Sequence, residues 1–296
     1  MQNAAMHWPI DHPVNTDPAL RTWAPGAQEL CPEASVVSVL RHLSGRRVAT
    51  LVDTNRGLGV LKVFASPRAR GNLRRVRALR CSSAGALVPE PWGVDSAGHV
   101  SLVAFVAGPI FDSLDDERFV NIAEQAGQAL RQLHESGTVL DRSWTIDDEL
   151  QLLAASATAA SQSLVDRVLV HAAHLADEPL VSAHRDCHPK QLVSLAGGVC
   201  WIDLDDAAMA PSGLDVGNMI AHLRRDGLLG RRSRATTEQA IIAFRCGYGP
   251  SASDVEIWER LSLLRLAALA HTRHHNPNDA QQILSLIATT QSSQPC

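Results

Sequence analysis

The sequence predicts an α+β fold in which a β-rich N-terminal part precedes a helical C-terminal part. Two observations carry this prediction. Before residue 108 the apolar residues come in short runs that turns interrupt, and after it they recur at helical spacing over much longer segments. The chain has 296 residues, of which 45% are hydrophobic, and this is enough to fill the core of one large domain or of two lobes.

The N-terminal part begins with residues 1–33, which are rich in Pro, Asn and Asp and show little periodicity. They are predicted to be an extended or loosely packed lead-in. Residues 34–108 are predicted to form a β-rich lobe, because short turns separate runs of β-branched residues. Its elements are strands at 34–43, 48–53 and 60–64, a basic helix at 68–81, a loop or edge strand at 88–94, and a strand at 99–108.

Residues 109–296 are predicted to form a helical lobe. The clearest helix runs from Asp116 to Ser136, with apolar residues on one face and a stop at Gly137. Two short strands, 192–195 and 199–202, flank the turn 196–198. Further helices are predicted at 146–177 (two helices), 215–224, 236–246, 254–274 and 279–289.

Composition excludes several classes of protein. The net charge of −4 lacks the basic excess of a nucleic-acid binder. No apolar run is long enough to cross a membrane, and the N-terminus has no secretory pattern. The six cysteines form no C-x-x-C pair, which favours reduced thiols over disulfides or zinc sites. We therefore expect a cytoplasmic monomer or homodimer that binds a small molecule.

The segment 183–205 carries the chemical signal. His184, Asp186 and Gln191 fit the kinase pattern H-x-D followed by an amide five residues after the acid, and Asp203 follows a predicted hairpin. Phosphoryl transfer needs two carboxylates, one to orient the attacking hydroxyl and one to hold Mg²⁺ against the phosphates. The alternative is two surface acids beside a turn with a histidine in the core, but the β-rich part before and the helical part after favour a kinase.

These motifs resemble those of the aminoglycoside phosphotransferase and choline kinase superfamily, whose loop reads H-G-D-x-H-x-x-N and whose metal strand reads I-D-x-[DE]. The resemblance covers about 35–225 and includes A-G-Q-A-L-R-Q-L-H at 126–134 and G-L-D-V-G-N-M at 213–219. It implies a protein-kinase-like bilobal fold that binds ATP and Mg²⁺. The roles it implies are catalytic base for Asp186, loop support for His184, metal ligands for Gln191 and Asp203, phosphate contact for Lys62, and a structural tie for Asp215.

Composition independently singles out Lys62. Lys occurs only at positions 62 and 190, and every other Lys or Arg position is Arg. Lys62 lies within the apolar strand V-L-K-V, where a cation is costly unless it is paired. Contact with the ATP phosphates explains it, and the alternative is a strand-edge lysine whose head reaches water. Lys190 receives no role beyond a charge on the substrate side.

The sequence departs from the kinase pattern in three places. The helix 68–81, which should supply a Glu partner for Lys62, contains six Arg and no acid. These arginines are either a solvated face or a positive wall facing phosphate, and the Lys62 partner is either elsewhere or the nucleotide itself. Gln191 replaces Asn with a longer stem. No G-x-G-x-x-G loop is present, so the turn at Ser44 and Gly45 is the candidate phosphate cover.

The leading interpretation is an ATP-dependent O-phosphotransferase acting on a hydroxyl of an amino sugar, sugar or amino alcohol, including an antibiotic. Backbone groups of Ala104 and Val106 are expected to bind adenine. Asp205 and Asp206 are expected to face the substrate, where acids suit a cation. Few aromatic residues are present, so an aromatic cage for choline is not expected. The alternative is a catalytically weak kinase-like protein that binds nucleotide.

Overall fold

The computed structural model describes residues 8–156, 161–172, 175, 177–250 and 254–291. The chain forms two compact units. The first contains the residues up to Ala107 together with Cys200–Asp205, and the second contains Gly108–Val199 and the residues from Asp206 onward. Most of the elements that the hydrophobic patterns predict are present, and the α+β class is confirmed.

A five-stranded antiparallel sheet forms the frame of the first unit. The strand order is β1-β2-β3-β5-β4, so β3 lies in the middle of the sheet. Lys62 on β3 faces Ala49 of β2 on one side and Ser101 of β5 on the other. The strands are β1 (Ser35–Leu43), β2 (Arg47–Thr54), β3 (Gly57–Phe64), β4 (Pro91–Val94) and β5 (Val100–Ala104).

The prediction of a loosely packed lead-in is wrong for residues 8–33. Three short helices lie there, and each carries one fully buried side chain: Val14, Leu20 or Ala27. These side chains pack into the same core as the inner faces of the sheet. The prolines that looked like breakers lie in the first turn of each helix, where the missing N–H has no cost. The helices are α1 (Pro13–Thr16), α2 (Pro18–Arg21) and α3 (Ala24–Leu30). Residues 1–7 of the predicted lead-in lie outside the described residues.

The basic helix of the first unit is α4 (Ala69–Arg80), and it packs against β3, β4 and β5. Four of its arginines, at 70, 74, 77 and 80, are exposed, as a solvated face requires. Arg75 is buried instead. The arginines of α4 therefore form a solvated face, apart from Arg75, which points inward. The sequence alone did not show which of the six arginines of the predicted helix would be buried.

Helices form most of the second unit. Helix α5 packs on α9, and α8 packs on both α9 and α10. Residues 157–160, 173, 174 and 176 of the predicted pair of helices lie outside the described residues. The helices are α5 (Asp116–His134), α6 (Ile146–Ser156), α7 (Gln162–Ala172), α8 (Ser212–Leu228), α9 (Arg234–Tyr248), α10 (Val255–Thr272) and α11 (Pro277–Gln291).

Four short strands complete the fold. Strand β6 (Leu180–Ala183) pairs with β9 (Ala208–Pro211), and β7 (Leu192–Leu195) forms a hairpin with β8 (Gly198–Trp201). The segment after β8 belongs to the first unit, so Asp203 and Asp205 lie in the same unit as Lys62.

No helix among the described residues has the length and apolar character that crossing a membrane requires. The five described cysteines are free thiols, as predicted. Cys296 lies outside the described residues.

Candidate active site

The loop His184–Gln191, called the Asp186 loop below, is anchored by a buried carboxylate. Asp215 in the first turn of α8 accepts hydrogen bonds from the backbone N–H groups of His184 at 2.6 Å and Arg185 at 2.7 Å. Arg185 has a φ of 68°, which non-glycine residues seldom adopt. The two bonds to a charged acceptor offset this strain. The predicted tie between Asp215 and the loop is confirmed.

The same carboxylate reaches a second motif of the sequence. His134, the last residue of α5, lies with Nε2 3.1 Å from the Asp215 carboxylate and Nδ1 2.9 Å from the Tyr248 hydroxyl. Burial alone would raise the pKa of Asp215, but the hydrogen bond and charge of His134 outweigh it and lower the pKa. One buried network therefore joins α5, α8 and α9 to the Asp186 loop.

Asp186 is held by three neighbours within its own loop. Its backbone N–H donates to Nδ1 of His184 at 3.3 Å, and its carboxylate accepts from Nε2 of Gln191 at 3.0 Å. Nε2 of His188 lies 3.5 Å from the same carboxylate, whose side chain is 46% exposed. The carboxylate is therefore fixed in position while one side of it remains open to a ligand.

These contacts also set the charge of Asp186. Burial alone would raise its pKa, but the hydrogen bond and charge of His188, with His184 and Gln191, outweigh it and lower the pKa to about 2. Asp186 is ionised at neutral pH. Such a carboxylate can accept a hydrogen bond from a hydroxyl and orient it, but as a weak base it takes the proton only late in a reaction.

The sequence reasoning missed the part played by His188. It occupies the second His position of the H-G-D-x-H-x-x-N pattern, so the signal was present in the motif. Its ring also accepts the N–H of Lys190 at 3.2 Å and stacks on the ring of His222. His188 thus connects Asp186 to the wall of α8.

Lys62 is the centre of a charged cluster in the first unit. Its ammonium donates to Asp203 Oδ1 at 2.6 Å and to Asp205 Oδ1 at 2.8 Å, and its side chain is 13% exposed. The Lys62 partner absent from α4 is therefore supplied by the segment after β8. The alternative of a strand-edge lysine in water does not fit these contacts.

Arg47 completes this cluster, and the sequence reasoning missed it. Its guanidinium donates to Asp203 Oδ2 at 3.1 Å and also to the Asp205 carboxylate. Arg47 begins β2 directly after the turn that contains Ser44 and Gly45. No pattern in the sequence distinguishes it from the many other arginines, because its partners lie more than 150 residues away along the chain. We refer to Arg47, Lys62, Asp203 and Asp205 as the Lys62 cluster.

The two acids of the Lys62 cluster differ in their electrostatics. Burial would raise the pKa of Asp203, but the charges of Lys62 and Arg47 outweigh it and hold the pKa well below its ordinary value. Burial raises the pKa of Asp205, the charge of Lys62 opposes this rise, and the adjacent Asp203 carboxylate adds to it.

Helix α4 contacts the Lys62 cluster through hydrogen-bond donors, and not through the acid that a kinase has there. Arg75 donates Nη2 to the backbone carbonyl of Asp205 at 3.1 Å and to Asn72 Oδ1 at 2.7 Å. Asn72, Lys62 and Asp203 line a small cavity of about 30 Å³. Within the described part of the chain, the buried Nδ2 of Asn72 has no hydrogen-bond partner. The helix that should carry a glutamate instead presents a buried amide donor.

The remaining predicted site residues have local contacts of their own. The N–H of Gly45, next to Ser44, donates to Asp17 at 2.8 Å, and the N–H of Ala104 donates to the Glu90 carbonyl at 2.8 Å. Val106 follows the end of β5.

The two acids predicted to face the substrate have different surroundings. Asp205 lies in the Lys62 cluster, whereas Asp206 belongs to the second unit and lies 3.5 Å from Arg142. Asp205 and Asp206 are therefore engaged with different cationic partners.

The donor chemistry of the predicted metal ligands fits Mg²⁺. Asp203 offers carboxylate oxygens and Gln191 offers an amide oxygen, the hard ligands that this ion prefers. Because Gln191 directs its Nε2 at Asp186, its amide oxygen points away from that carboxylate. No group of three or more His, Cys, Asp and Glu among the described residues is arranged to hold a metal ion. A metal on Asp203 would share the carboxylate with Arg47 and Lys62 or replace one of them.

The comparison with protein families is decisive. Residues 38–249 match the model of the phosphotransferase enzyme family, and they are more than half of the chain. The chain belongs to the phosphotransferase enzyme family. It is a phosphotransferase, as the sequence predicted, and both the Asp186 loop and the whole Lys62 cluster lie within the matched residues. No curated protein sequence matches the chain.

Solved structures of similar fold agree with this assignment. Choline kinase from Streptococcus pneumoniae has a TM-score of 0.66 and 15% identity, over 91% of this chain and 98% of that chain. A choline/ethanolamine kinase family protein from Mesorhizobium loti has a TM-score of 0.61 and 17% identity, over 87% and 88%. A spectinomycin phosphotransferase, solved with ADP and spectinomycin, has a TM-score of 0.57 and 16% identity, over 88% and 89%. At these identities the likeness shows the fold, and the predicted protein-kinase-like fold is confirmed.

Proposed function

We propose that this phosphotransferase moves the γ-phosphate of ATP to a hydroxyl of a small molecule. The observation that carries the proposal is Asp186, a fixed, ionised and half-exposed carboxylate on a loop whose pattern matches that of the family. Such a carboxylate can accept a hydrogen bond from the acceptor hydroxyl and aim its oxygen at phosphorus. His184 and Gln191 are positioning residues for it.

The reaction is balanced as a simple displacement. The acceptor oxygen forms a bond to the γ-phosphorus while the bond between that phosphorus and the bridging oxygen breaks. ADP leaves with the electron pair, and the hydroxyl proton passes through Asp186 to solvent. Because the pKa of Asp186 is about 2, the carboxylate orients the hydroxyl throughout and holds the proton only briefly.

The Lys62 cluster supports the nucleotide side of the proposal. Lys62 is a nearly buried cation on the central strand, as a contact to the α- and β-phosphates requires. Asp203 and Gln191 would hold Mg²⁺, which neutralises charge on the phosphates when it is bound. Two solved structures of similar fold contain AMP and ADP. We further propose that Ser44 and Gly45 cover the phosphates and that backbone groups of Ala104 and Val106 bind adenine.

A second candidate is a kinase-like protein that binds nucleotide with little turnover. Two observations favour it: α4 carries no acid, and both oxygens of Asp203 already accept from cationic side chains. The fixed and open Asp186 favours the active enzyme, because a protein without turnover has no need of it.

Calorimetric titration of ATP with and without Mg²⁺, followed by assays of ADP release with sugars, amino sugars, amino alcohols and hydroxy acids, separates the two candidates. We expect Mg²⁺-dependent ATP binding and acceptor-dependent ADP release that disappears in Asp186→Ala. The phosphate monoester should appear by ³¹P NMR in step with ADP. Tight ATP binding without ADP release from any acceptor would favour the second candidate.

A further inference from the structure

A cavity of about 310 Å³ lies in the second unit beside the Asp186 loop. The loop residues His188 and Lys190 form one wall, and His222 and Arg225 of α8 form another. Nε2 of His188 is 3.5 Å from the Asp186 carboxylate, so this wall borders the group that would orient the acceptor. The cavity is large enough for part of a small metabolite.

Positive charge predominates in this cavity. Lys190, Arg225 and Arg231 line it, whereas Asp112 and Asp226 are the acids in its lining. One acid serves two of these cations, because the same Asp226 oxygen accepts from Arg225 at 2.7 Å and Arg231 at 3.3 Å. The ammonium of Lys190 forms a long ion pair with Asp112 at 3.7 Å, which is too far for a hydrogen bond. Arg231 also lies 3.5 Å from Asp279, an acid outside the lining. The lining itself therefore holds three cations and two acids, and an anion can bind by adding to these ion pairs or by replacing one of them.

Two histidines of the cavity, His188 and His222, lie in contact, and the nearby positive charges affect the pKa of His222. The rings of His188 and His222 stack with centroids 4.5 Å apart and planes 12° apart. Burial lowers the pKa of His222 well below its ordinary value, and His188, Arg225, Arg265 and Lys190 lower it further. His222 is thus a neutral ring that can hydrogen-bond a ligand without adding to the charge.

The acids that the sequence offered for a cationic substrate are engaged elsewhere. Asp205 is tied to Lys62 and Arg47, and Asp206 lies 3.5 Å from Arg142. Neither of them lines the cavity. The charge of this cavity, whose lining residue His188 contacts Asp186, therefore has the opposite sign from the one that an amino sugar or amino alcohol requires.

We propose that the acceptor of this enzyme is an acidic hydroxy compound, with a carboxylate or phosphate that binds among Lys190, Arg225 and Arg231 while its hydroxyl reaches Asp186. This inference rests on the proposed function and deepens it by assigning the charge class of the acceptor. The anion adds charge-assisted hydrogen bonds that a neutral analogue of the same skeleton lacks. Preference for an anion is then a property of the cavity and not of the nucleotide site.

Two sets of matched compounds test the charge class. The first is glucuronate, glucose and glucosamine, and the second is glycerate, glycerol and 3-aminopropane-1,2-diol. Binding is measured by calorimetry at constant ionic strength in the presence of Mg²⁺ and ADP, so that the readout does not depend on turnover. kcat/KM for ADP release is measured separately. We expect at least one anion to bind at least about tenfold more tightly than its neutral and cationic counterparts, the difference that one charge-assisted hydrogen bond supplies.

The double variant Lys190→Gln with Arg231→Gln tests whether the cavity is responsible. Both side chains are about half exposed or more, so their loss should not prevent folding, unlike that of the more buried Arg225. Arg245→Gln is the matched control, because Arg245 is exposed on α9 and does not line the cavity. We expect the double variant to remove most of the preference for the anion while binding of the neutral compound changes little. The control should keep the preference.

The outcomes separate this inference from the proposed function. Anion-selective binding without ADP release supports the cavity assignment and contradicts the phosphotransfer. ADP release that favours glucosamine or the amino diol, or an anion preference that survives in the double variant, overturns the cavity assignment and leaves the phosphotransfer intact. Failure of both glucuronate and glycerate to bind more tightly than their neutral analogues also overturns it. Inorganic sulfate serves as a further probe, and we expect it to compete with the anion in the wild type only.

Discussion

The Lys62 cluster and the Asp186 loop handle charge in opposite ways. In the Lys62 cluster two acids and two cations are paired within the same few ångströms, and each acid contacts both cations. In the Asp186 loop a single carboxylate is fixed by a histidine and an amide, and no Lys or Arg contact to it is seen among the described residues. When one charged side chain of the Lys62 cluster is removed, each remaining member still has a partner of opposite charge. The Asp186 loop contains no second acid that could take the place of Asp186.

This difference predicts how strongly substitutions in each region should reduce activity and nucleotide binding. A change at Asp186 itself should remove function with little effect on nucleotide binding. A change in the Lys62 cluster should alter nucleotide and Mg²⁺ binding by a graded amount. Five substitutions test the contrast.

The largest effect is expected from Asp186→Ala. The hydroxyl then loses the group that orients it and receives its proton, which costs about 10²–10⁴-fold in rate. ATP binding should stay within a few-fold of the wild type, since the proposed partner of Asp186 is the acceptor hydroxyl and not the nucleotide. Steady-state kinetics and ATP calorimetry check both statements, with Glu124→Gln on the exposed face of α5 as the control. A variant that keeps more than a tenth of the wild-type rate would show that another group orients the acceptor.

Lys62→Arg is expected to raise KM for ATP and lower kcat together, although the charge is kept. The ammonium fits between Asp203 and Asp205 at 2.6 and 2.8 Å, and the broader guanidinium cannot keep both distances beside Arg47. A displacement of the bound phosphates by about 1 Å can cost about 10²-fold. Arg41→Lys on the exposed part of β1 is the control for the exchange of the two residue types. Near-normal kinetics would mean that Lys62 only neutralises the two acids.

Asp203→Asn is expected to weaken ATP binding in the presence of Mg²⁺ by at least about tenfold, because even residues that only support a ligand cost 10–100-fold in metal affinity. Binding of ATP without Mg²⁺ should be unchanged or slightly tighter, since the variant removes a negative charge near the phosphates. Calorimetry in both conditions measures the difference. Equal losses with and without Mg²⁺ would indicate that Asp203 acts only through Lys62 and Arg47.

Asp215→Asn tests the support of the Asp186 loop rather than its chemistry. The buried carboxylate accepts two backbone N–H groups and His134, and weakening these bonds should cost about 1–3 kcal/mol of stability. The pKa of Asp215 is lowered in the folded state, so its contribution is complete above its ordinary value near 4 and is lost as the pH falls below it. Urea unfolding at several pH values should therefore show a smaller acid-induced loss in the variant than in the wild type. The exposed Asp147→Asn is the control, and an unchanged pH dependence would contradict the assignment.

How far the sequence predicted these two regions depends on the distance between partners along the chain. The Asp186 loop was predictable because its residues lie within one motif, and even the overlooked His188 lies in that motif. Asp215 was predictable from the resemblance, because a second short motif carries it. The helical lead-in was missed because its prolines, read as breakers, are compatible with the first turn of a helix.

The Lys62 cluster was only half predictable. The position of Lys62 in an apolar strand and the carboxylate of Asp203 after a hairpin were both visible in the sequence. Their direct pairing, and the entry of Arg47, depend on the return of the segment 200–205 to the first unit. Periodicity gives no information on such a contact, because it concerns neighbours along one helix or strand. The charge of the cavity beside Asp186 was hidden for the same reason, since its walls come from separate helices and loops.

The smallest effect is expected from Arg47→Gln. This substitution tests the pairing of acids with cations that the Lys62 cluster has and the Asp186 loop lacks. Arg47 and Lys62 both donate to Asp203, so a divalent ion that binds this carboxylate competes with the guanidinium. Without Arg47 the two acids keep one cationic partner, and their combined charge attracts Mg²⁺ more strongly. The Mg²⁺ concentration for half-maximal ATP binding should therefore fall by about two- to fivefold, because a partly exposed ion pair contributes up to about 1 kcal/mol. Arg47→Lys, which keeps a cation at the same place, should stay close to the wild type. If Arg47→Gln instead needs more Mg²⁺ or binds ATP more weakly at saturating Mg²⁺, then Arg47 contacts the phosphates directly, and the Lys62 cluster contributes two phosphate ligands rather than one.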